Sequence, residues 1–324
     1  MAEQPLVLIV GDACPDLVLT GDIVPRFGQA EQLLDRADLV IGGSGTIMAC
    51  GLARLGVPVA VAAVVGDDVY GDFMRASLES AGVDTRWLRT DPQTPTGLSV
   101  ILSGQADRAI LTLPGTMGTT DPTVLPAYDE LAGVRVVHSA SMFLLPGLAP
   151  GLPAWLRGLD DNVTVSLDTN WDPRESWAGA RDVLGRADLF LPNAAELRAI
   201  TAIDDLERAG RTLASAGTTV ALKNGADGGI VWTPDGGRFT APGVPVDVVD
   251  TTGAGDSFDA GYLRGLLDGL DPQECLRVAT AAGSLSTRRR GGTGAQPDID
   301  ELRSALAGAE RSQLTTPDQE SNHS

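Results

Sequence analysis

The amino-acid sequence predicts an α/β fold: a central, mostly parallel sheet flanked by helices, with a small β element projecting from it as a lid. Three patterns point there. Short apolar runs end again and again in polar residues, as buried parallel strands do. Segments of small and apolar residues with glycine stops lie between them, as helices do. In one stretch that alternation gives way to two strand-like runs around a polar turn.

In chain order, Leu6 to Val10 is a continuous apolar run closed by Gly11-Asp12, a buried strand delivering polar groups at its carboxyl end. Gly45 to Leu55 runs without proline to Gly56-Val57-Pro58, which predicts a helix. Val59 to Val65 is a second buried strand, and a helix is expected from Gly71 to Ser80. Gly97 to Leu102 and Ala109 to Leu113 flank the polar turn Ser103 to Arg108, a hairpin; the lid elements are placed at about 13–41 and 94–115. Later strand-like runs end at His138, Asp168, Asn193 and Lys223. Ligands of open α/β sheets sit beyond the carboxyl ends of the strands, so Asp12, His138, Asp168, Asn193 and Lys223 are expected on one rim. One domain over residues 1–300 is expected, then a polar tail without order at 308–324.

Composition narrows the chemistry. A formal charge of −19 over 324 residues excludes nucleic acid and anionic membrane as partners, because both would repel the chain. A bound phosphate must then be held by local geometry, above all by backbone N–H groups. Three widely spaced cysteines (Cys14, Cys50, Cys275) fit neither a disulfide framework nor a zinc site and suit a reducing compartment. Met1 to Pro5 lacks the basic flank of a signal peptide, and no apolar run reaches membrane-spanning length, so a cytoplasmic, soluble protein is expected. Only two histidines, His138 and His323, argue against a Ser-His-Asp triad or a multi-histidine metal site. Lys223 is the only lysine, which leaves acid/base work to carboxylates.

The most informative stretch is Asp250-Thr251-Thr252-Gly253-Ala254-Gly255-Asp256-Ser257-Phe258. Phe258, Tyr262 and Leu266 recur at helical spacing, so a helix begins near Ala254. Gly253 and Gly255 turn tightly and leave amides bare at its N-terminus, an anion hole. Asp256 beside it is either a favourable charge at a helix N-terminus or a base for an attacking hydroxyl. A Walker loop and a G-x-G-x-x-G are both absent.

Asp250 to Asp256 resembles the C-terminal signature of the ribokinase-like (PfkB) carbohydrate kinases, Asp-Thr-x-Gly-Ala-Gly-Asp. Gly42-Gly43-Ser44-Gly45 with Gly51 to Gly56 resembles the N-terminal one, and the likeness runs from Leu6 to Pro297. The resemblance implies a ribokinase-like kinase domain that uses ATP and Mg2+ to phosphorylate a hydroxyl of a small sugar. A nucleoside acceptor in the same family is an alternative, and so is a non-catalytic sugar or nucleotide sensor. Asp256 is implied as catalytic base, with Gly253, Ala254 and Gly255 as the anion hole. Asp16 matches the sugar-hydroxyl ligand, and Gly42-Gly43 the hinge of the lid. Asn193 and Glu196 match the family's Asn-x-x-Glu, which organises magnesium and phosphate largely through water; they also read as an N-cap and its capping box. Lys223, Gly225 and Gly228 fall in the nucleotide loop, and Thr280 near adenine. Asp250 and Thr252, with the loop from Ser286 to Gly294, match the site of a monovalent cation, K+, in potassium-activated members. A homodimer through the lid is also implied.

Three positions depart from the family's pattern. Ile47 stands where an asparagine usually bonds a sugar hydroxyl, and Ser44 where ribokinase has lysine. Trp171 replaces the arginine of an Asp-x-Asn-x-Arg stretch beginning at Asp168. Ile47, Arg108 and Asp168 are candidate substrate contacts. Arg108 and Arg174 are the arginines that could stand in for the missing one, and Arg108 reads equally as a residue solvating its turn.

Overall fold

Side chains alternate between two faces from the first strand onward. The computed structural model describes residues 4–104 and 108–314. In β1 (Val7–Val10) every residue is buried; Val7 and Ile9 enter the hydrophobic cluster on one face, Leu8 and Val10 that on the other. A strand buried on both faces belongs at the centre of a helix-covered sheet.

The chain leaves that centre for β2 (Pro15–Gly21) and β3 (Leu34–Ile41), then returns as α1 (Ser44–Arg54), β4 (Val59–Gly66), α2 (Val69–Ser80) and β5 (Asp84–Asp91). It leaves again as β6 (Leu98–Ser103) and β7 (Arg108–Leu113). The short α3 (Thr116–Thr119) leads to β8 (Val136–Ala140), α4 (Leu152–Arg157), β9 (Thr164–Asp168), α5 (Ala180–Leu184) and β10 (Leu189–Phe190). Next come α6 (Ala194–Thr201), α7 (Leu206–Ser215), β11 (Thr219–Lys223), β12 (Gly229–Trp232) and β13 (Arg238–Ala241). Three helices close the chain: α8 (Ala254–Leu267), α9 (Pro272–Ser286) and α10 (Ile299–Leu314).

Nine strands form one sheet in the order β13-β12-β11-β10-β9-β8-β1-β4-β5, parallel except for the pairings of β12 with β11 and β13. β1 pairs with β4 on one side and β8 on the other, so the strand order reverses there, and a crevice opens at the carboxyl ends. α1, α2, α8 and α9 supply the cluster on one face, and α4 to α7 that on the other. A separate four-stranded sheet, β3-β2-β6-β7, is built from the two stretches read as lid elements, with β6 and β7 antiparallel.

Two expectations change. α10 continues past Gly308 to Leu314, so the chain stays helical beyond the residue where the polar tail was placed; 315–324 lie outside the described residues. His138 lies within β8 rather than at its end, fully buried, with Nδ1 3.0 Å from Ser166 Oγ. Burial lowers its pKa to about 4. The strand continues to Ala140, which carries the rim past it.

Candidate active site

α8 starts with its N-terminus uncapped. Gly253 precedes it at φ 72° and makes no side-chain cap bond. A Cβ on Gly253 would stand 2.7 Å from the Cα of Gly292, so this turn fits only glycine. Of the three amides expected to form the anion hole, that of Ala254 already donates to the Thr251 carbonyl at 3.2 Å, a tight-turn bond. The amides of Gly253, Gly255 and Asp256 meet no acceptor among the described residues. The open set therefore keeps Gly253 and Gly255 and has the Asp256 amide in place of that of Ala254.

Asp256 is buried in the first turn and accepts a hydrogen bond from the Ser44 hydroxyl at the start of α1. Burial pushes its carboxyl up to about 7; Ser44 opposes that rise, Asp168 and Asp12 add to it, and Lys223 opposes it. Asp16, buried on β2, is also pushed up to about 7 by burial and by Asp12, against the pull of Arg108. Its carboxylate lies so close to Gly42 that a Cβ there would sit 2.1 Å from Oδ1. Gly42 is thus a close-approach glycine, and Gly43 a left-handed one at φ 76°. Asp12, just past β1, accepts the amides of Gly45 at 3.1 Å and Ser44 at 3.3 Å.

Lys223 is no surface charge. Its ammonium lies 2.6 Å from Asp168 Oδ2 and 3.2 Å from Asp259 Oδ2, with all three side chains largely buried. Burial alone would lower the lysine, but Asp168, Asp259 and Glu196 outweigh it and hold it above the ordinary range. The same burial would raise Asp168, and Lys223 reverses it; Asp259 is left raised. A Cβ on Gly255 would sit 3.6 Å from Lys223 Nζ, so this cluster lies directly against the open turn of α8. Asp168 gives its other oxygen to the Asn170 amide at 3.1 Å.

The Asn193 and Glu196 side chains bond one another. Asn193 Oδ1 accepts the Glu196 amide at 3.0 Å, while Glu196 accepts the Asn193 amide at 2.9 Å and its side-chain NH2 at 2.6 Å. Burial, then Asp168, raises Glu196 to about 7. Each oxygen keeps a second lone pair, which fits a magnesium ion reached through water.

Lys223, Gly225, Gly228, Ala254, Gly255 and Thr280 line one cleft of about 610 Å³. Val244, Val246 and Phe258 give it an apolar wall, and the open turn of α8 borders it. Thr280 turns its hydroxyl back to the Arg277 carbonyl at 3.1 Å. Arg108 reaches from the small sheet to Thr252, donating to its hydroxyl at 2.7 Å. Asp250 accepts the Thr252 amide at 2.9 Å and hydroxyl at 2.7 Å, and the Gly291 amide at 2.9 Å. Burial would raise it, but those bonds lower it. Ile47 is buried, and a Cβ on Gly292 would meet its Cδ1 at 2.5 Å, so it props the loop that backs Gly253. Trp171 is half-exposed and meets the Trp177 ring edge-on at 5.3 Å, outside the core; Arg174 is exposed.

The fold thus gathers Asp16, Gly42, Asp168, Lys223, Glu196 and the first turn of α8 at one rim. Sequence reasoning missed three participants. Ser44, which the sequence marks only as a departure from the lysine of ribokinase, meets Asp256 through its hydroxyl. Asn170 donates to Ser44 Oγ at 3.1 Å, and Ser141 donates to Asn170. A polar residue just past each strand end was the signal that could have found Asn170 and Ser141.

A model of the pfkB family of carbohydrate kinases matches residues 4–299. The ATP-dependent ribose-1-phosphate kinase of Halopiger xanaduensis is 32% identical, over 93% of this chain and 98% of its own. Two solved structures share the fold. One, from Escherichia coli in complex with ATP and Mg2+, has a TM-score of 0.82 at 22% identity, covering 94% of this chain and 99% of its own. The other, Arabidopsis thaliana ribokinase complexed with ribose and ATP, has a TM-score of 0.79 at 23% identity, with coverage of 94% and 99%.

Proposed function

Because the chain belongs to the pfkB family of carbohydrate kinases, we propose that it moves the γ-phosphoryl group of ATP to a hydroxyl of a small sugar or sugar-like molecule, with Asp256 as general base. One observation carries this reading: a buried, raised carboxylate sits in an uncapped helix turn, between the 610 Å³ cleft and the side of the site where Asp16 is buried. The cleft takes the nucleotide, and the amides of Gly253, Gly255 and Asp256 hold the transferring phosphate. Asp16 accepts from substrate hydroxyls. Asp256 takes the proton of the hydroxyl that attacks, a task suited to a group titrating near neutrality. Asn193 and Glu196 hold magnesium through water; when bound, it neutralises charge on the phosphates. A monovalent cation at the Asp250–Thr252 turn would rest on backbone carbonyls, since the Asp250 carboxylate braces that turn. The small sheet closes as a lid, with Arg108 on Thr252 as its latch.

A second reading of the acceptor has its own support. Arg36, Arg108 and Arg290 line a cavity of about 1010 Å³ between the small sheet and residues 248–251. Asp35 and Asp250 line it as well, but three arginines in a chain this acidic favour an acceptor that itself carries a phosphate or carboxylate, in keeping with the name of the Halopiger relative. Exposed Ile110, Leu111 and Leu113 on β7, an edge strand, support a homodimer through the lid. The free, buried Cys14, Cys50 and Cys275 support a cytoplasmic location; among the described residues no helix is long and apolar enough to cross a membrane.

The test is ADP release with ATP and a panel of neutral sugars, sugar acids, sugar phosphates and nucleosides. Asp256→Asn should lower kcat on the best acceptor at least about 10²-fold while ATP still binds. Normal turnover by that variant would sink the mechanism.

A further inference from the structure

Resting on Asp256 as the base, we propose that Ser44 is its positioning residue, and that Asn170 and Ser141 fix the direction in which the Ser44 hydroxyl donates.

The argument is one of donors and acceptors. A serine hydroxyl has one hydrogen. Ser44 Oγ lies between the Asp256 carboxylate and Asn170 Nδ2, the latter at 3.1 Å. The orientation of Asn170 is set at its other end, where Oδ1 accepts the Ser141 backbone amide at 2.9 Å and the Ser141 hydroxyl at 3.1 Å. A backbone N–H can only donate, so the Asn170 oxygen must face Ser141 and its NH2 must face Ser44. Receiving that donor, Ser44 has its single hydrogen left for Asp256 Oδ1. Oδ2 meets no donor among the described residues and remains the oxygen that faces an acceptor hydroxyl.

Ser44 is also fixed through its backbone, because Asp12 accepts its amide and that of Gly45. Hydroxyl and main chain are therefore held independently. Ser141 and Asn170 stand just past β8 and β9, each at φ 54°, a left-handed conformation uncommon outside glycine. That backbone brings the two residues into register beside Ser44. A donor to the carboxylate favours its charged form, which opposes the effect of burial and keeps the base usable near neutral pH.

The test compares Ser44→Ala, Ser44→Thr and Asn170→Gly, the last keeping a left-handed backbone while deleting the amide. Carbon-13 NMR of protein labelled at aspartate carboxyls follows Asp256 without any substrate, its resonance identified by its loss in Asp256→Asn. Ser44→Ala should move the Asp256 titration up by about one pH unit. The acid limb of kcat, measured with the best acceptor of the panel, should move with it. At neutral pH kcat should fall about 10- to 100-fold with KM for ATP within about twofold. Ser44→Thr should restore both, and Asn170→Gly should shift the titration the same way by less. An Asp256 resonance that titrates unchanged in folded Ser44→Ala overturns the proposal. If Ser44→Ala does not fold, an unchanged titration in Asn170→Gly does so. Should Asp256→Asn keep full turnover, the base assignment fails by itself, and the NMR titration still decides whether Ser44 is bonded to Asp256.

Discussion

Two helices begin on the same rim with an acid in the first turn, and they are opposites. α6 is closed: Asn193 and Glu196 satisfy one another, and both Glu196 oxygens already hold donors. α8 is open: Gly253 offers no side chain, and among the described residues the amides of Gly253, Gly255 and Asp256 have no acceptor and one Asp256 oxygen has no donor. Burial raises both acids to about 7. A raised carboxyl therefore does not by itself single out the proposed base; the donors already on the carboxylate oxygens distinguish the two acids. An N-cap is worth about 0.5–2 kcal/mol, and α8 forgoes one where a ligand can supply what a side chain would.

The largest expected difference between the two termini is catalytic. Asp256→Asn should cut kcat about 10²- to 10⁴-fold, and wild-type kcat should rise with pH through about 7 as the carboxyl ionises. A flat pH profile would remove the contrast. Next in size, Gly253→Ala must move either the left-handed turn or Gly292, and should lower kcat/KM for ATP roughly 10²-fold. At the closed terminus, Glu196→Gln should weaken apparent magnesium affinity about tenfold and lower kcat far less than Asp256→Asn does. A loss of kcat equal to that of Asp256→Asn would place a second working acid at α6. Asn193→Ala removes a cap and should lower Tm by a few degrees, which a thermal melt at fixed magnesium checks. The last effect is one of stability with pH. Asp256 has a folded pKa above its unfolded value, so the native protein binds the extra proton between about pH 4 and 7, and stability falls as pH rises through that window. Asp256→Asn should therefore melt above wild type at pH 8, with the difference closing by pH 4.

The open terminus was legible in the sequence because its requirements are local: two glycines and an acid within four residues leave few other uses. The strand-end rim was legible too, since each run breaks from apolar to polar at one point; only His138 misled, because a polar residue inside a strand looks the same as one at its end. The burial of Lys223 was not legible. It depends on Asp168 and Asp259, which come from β9 and α8 and meet only in three dimensions. Ser44 was hidden for a related reason. The motif around it marks a departure from a pattern, whereas its partner Asp256 lies 212 positions away.

The amide cradle of α8 bears no formal charge, and it sits in a molecule whose net charge is −19. Highly anionic ATP diffusing toward it climbs a repulsive potential until the last few ångströms, where the fixed dipoles take over. Counter-ions flatten that hill over a Debye length of about 10 Å at 0.1 M salt but hardly touch dipoles in contact with their guest. Nucleotide capture by this protein should thus quicken as ionic strength rises, the reverse of what a basic phosphate site does.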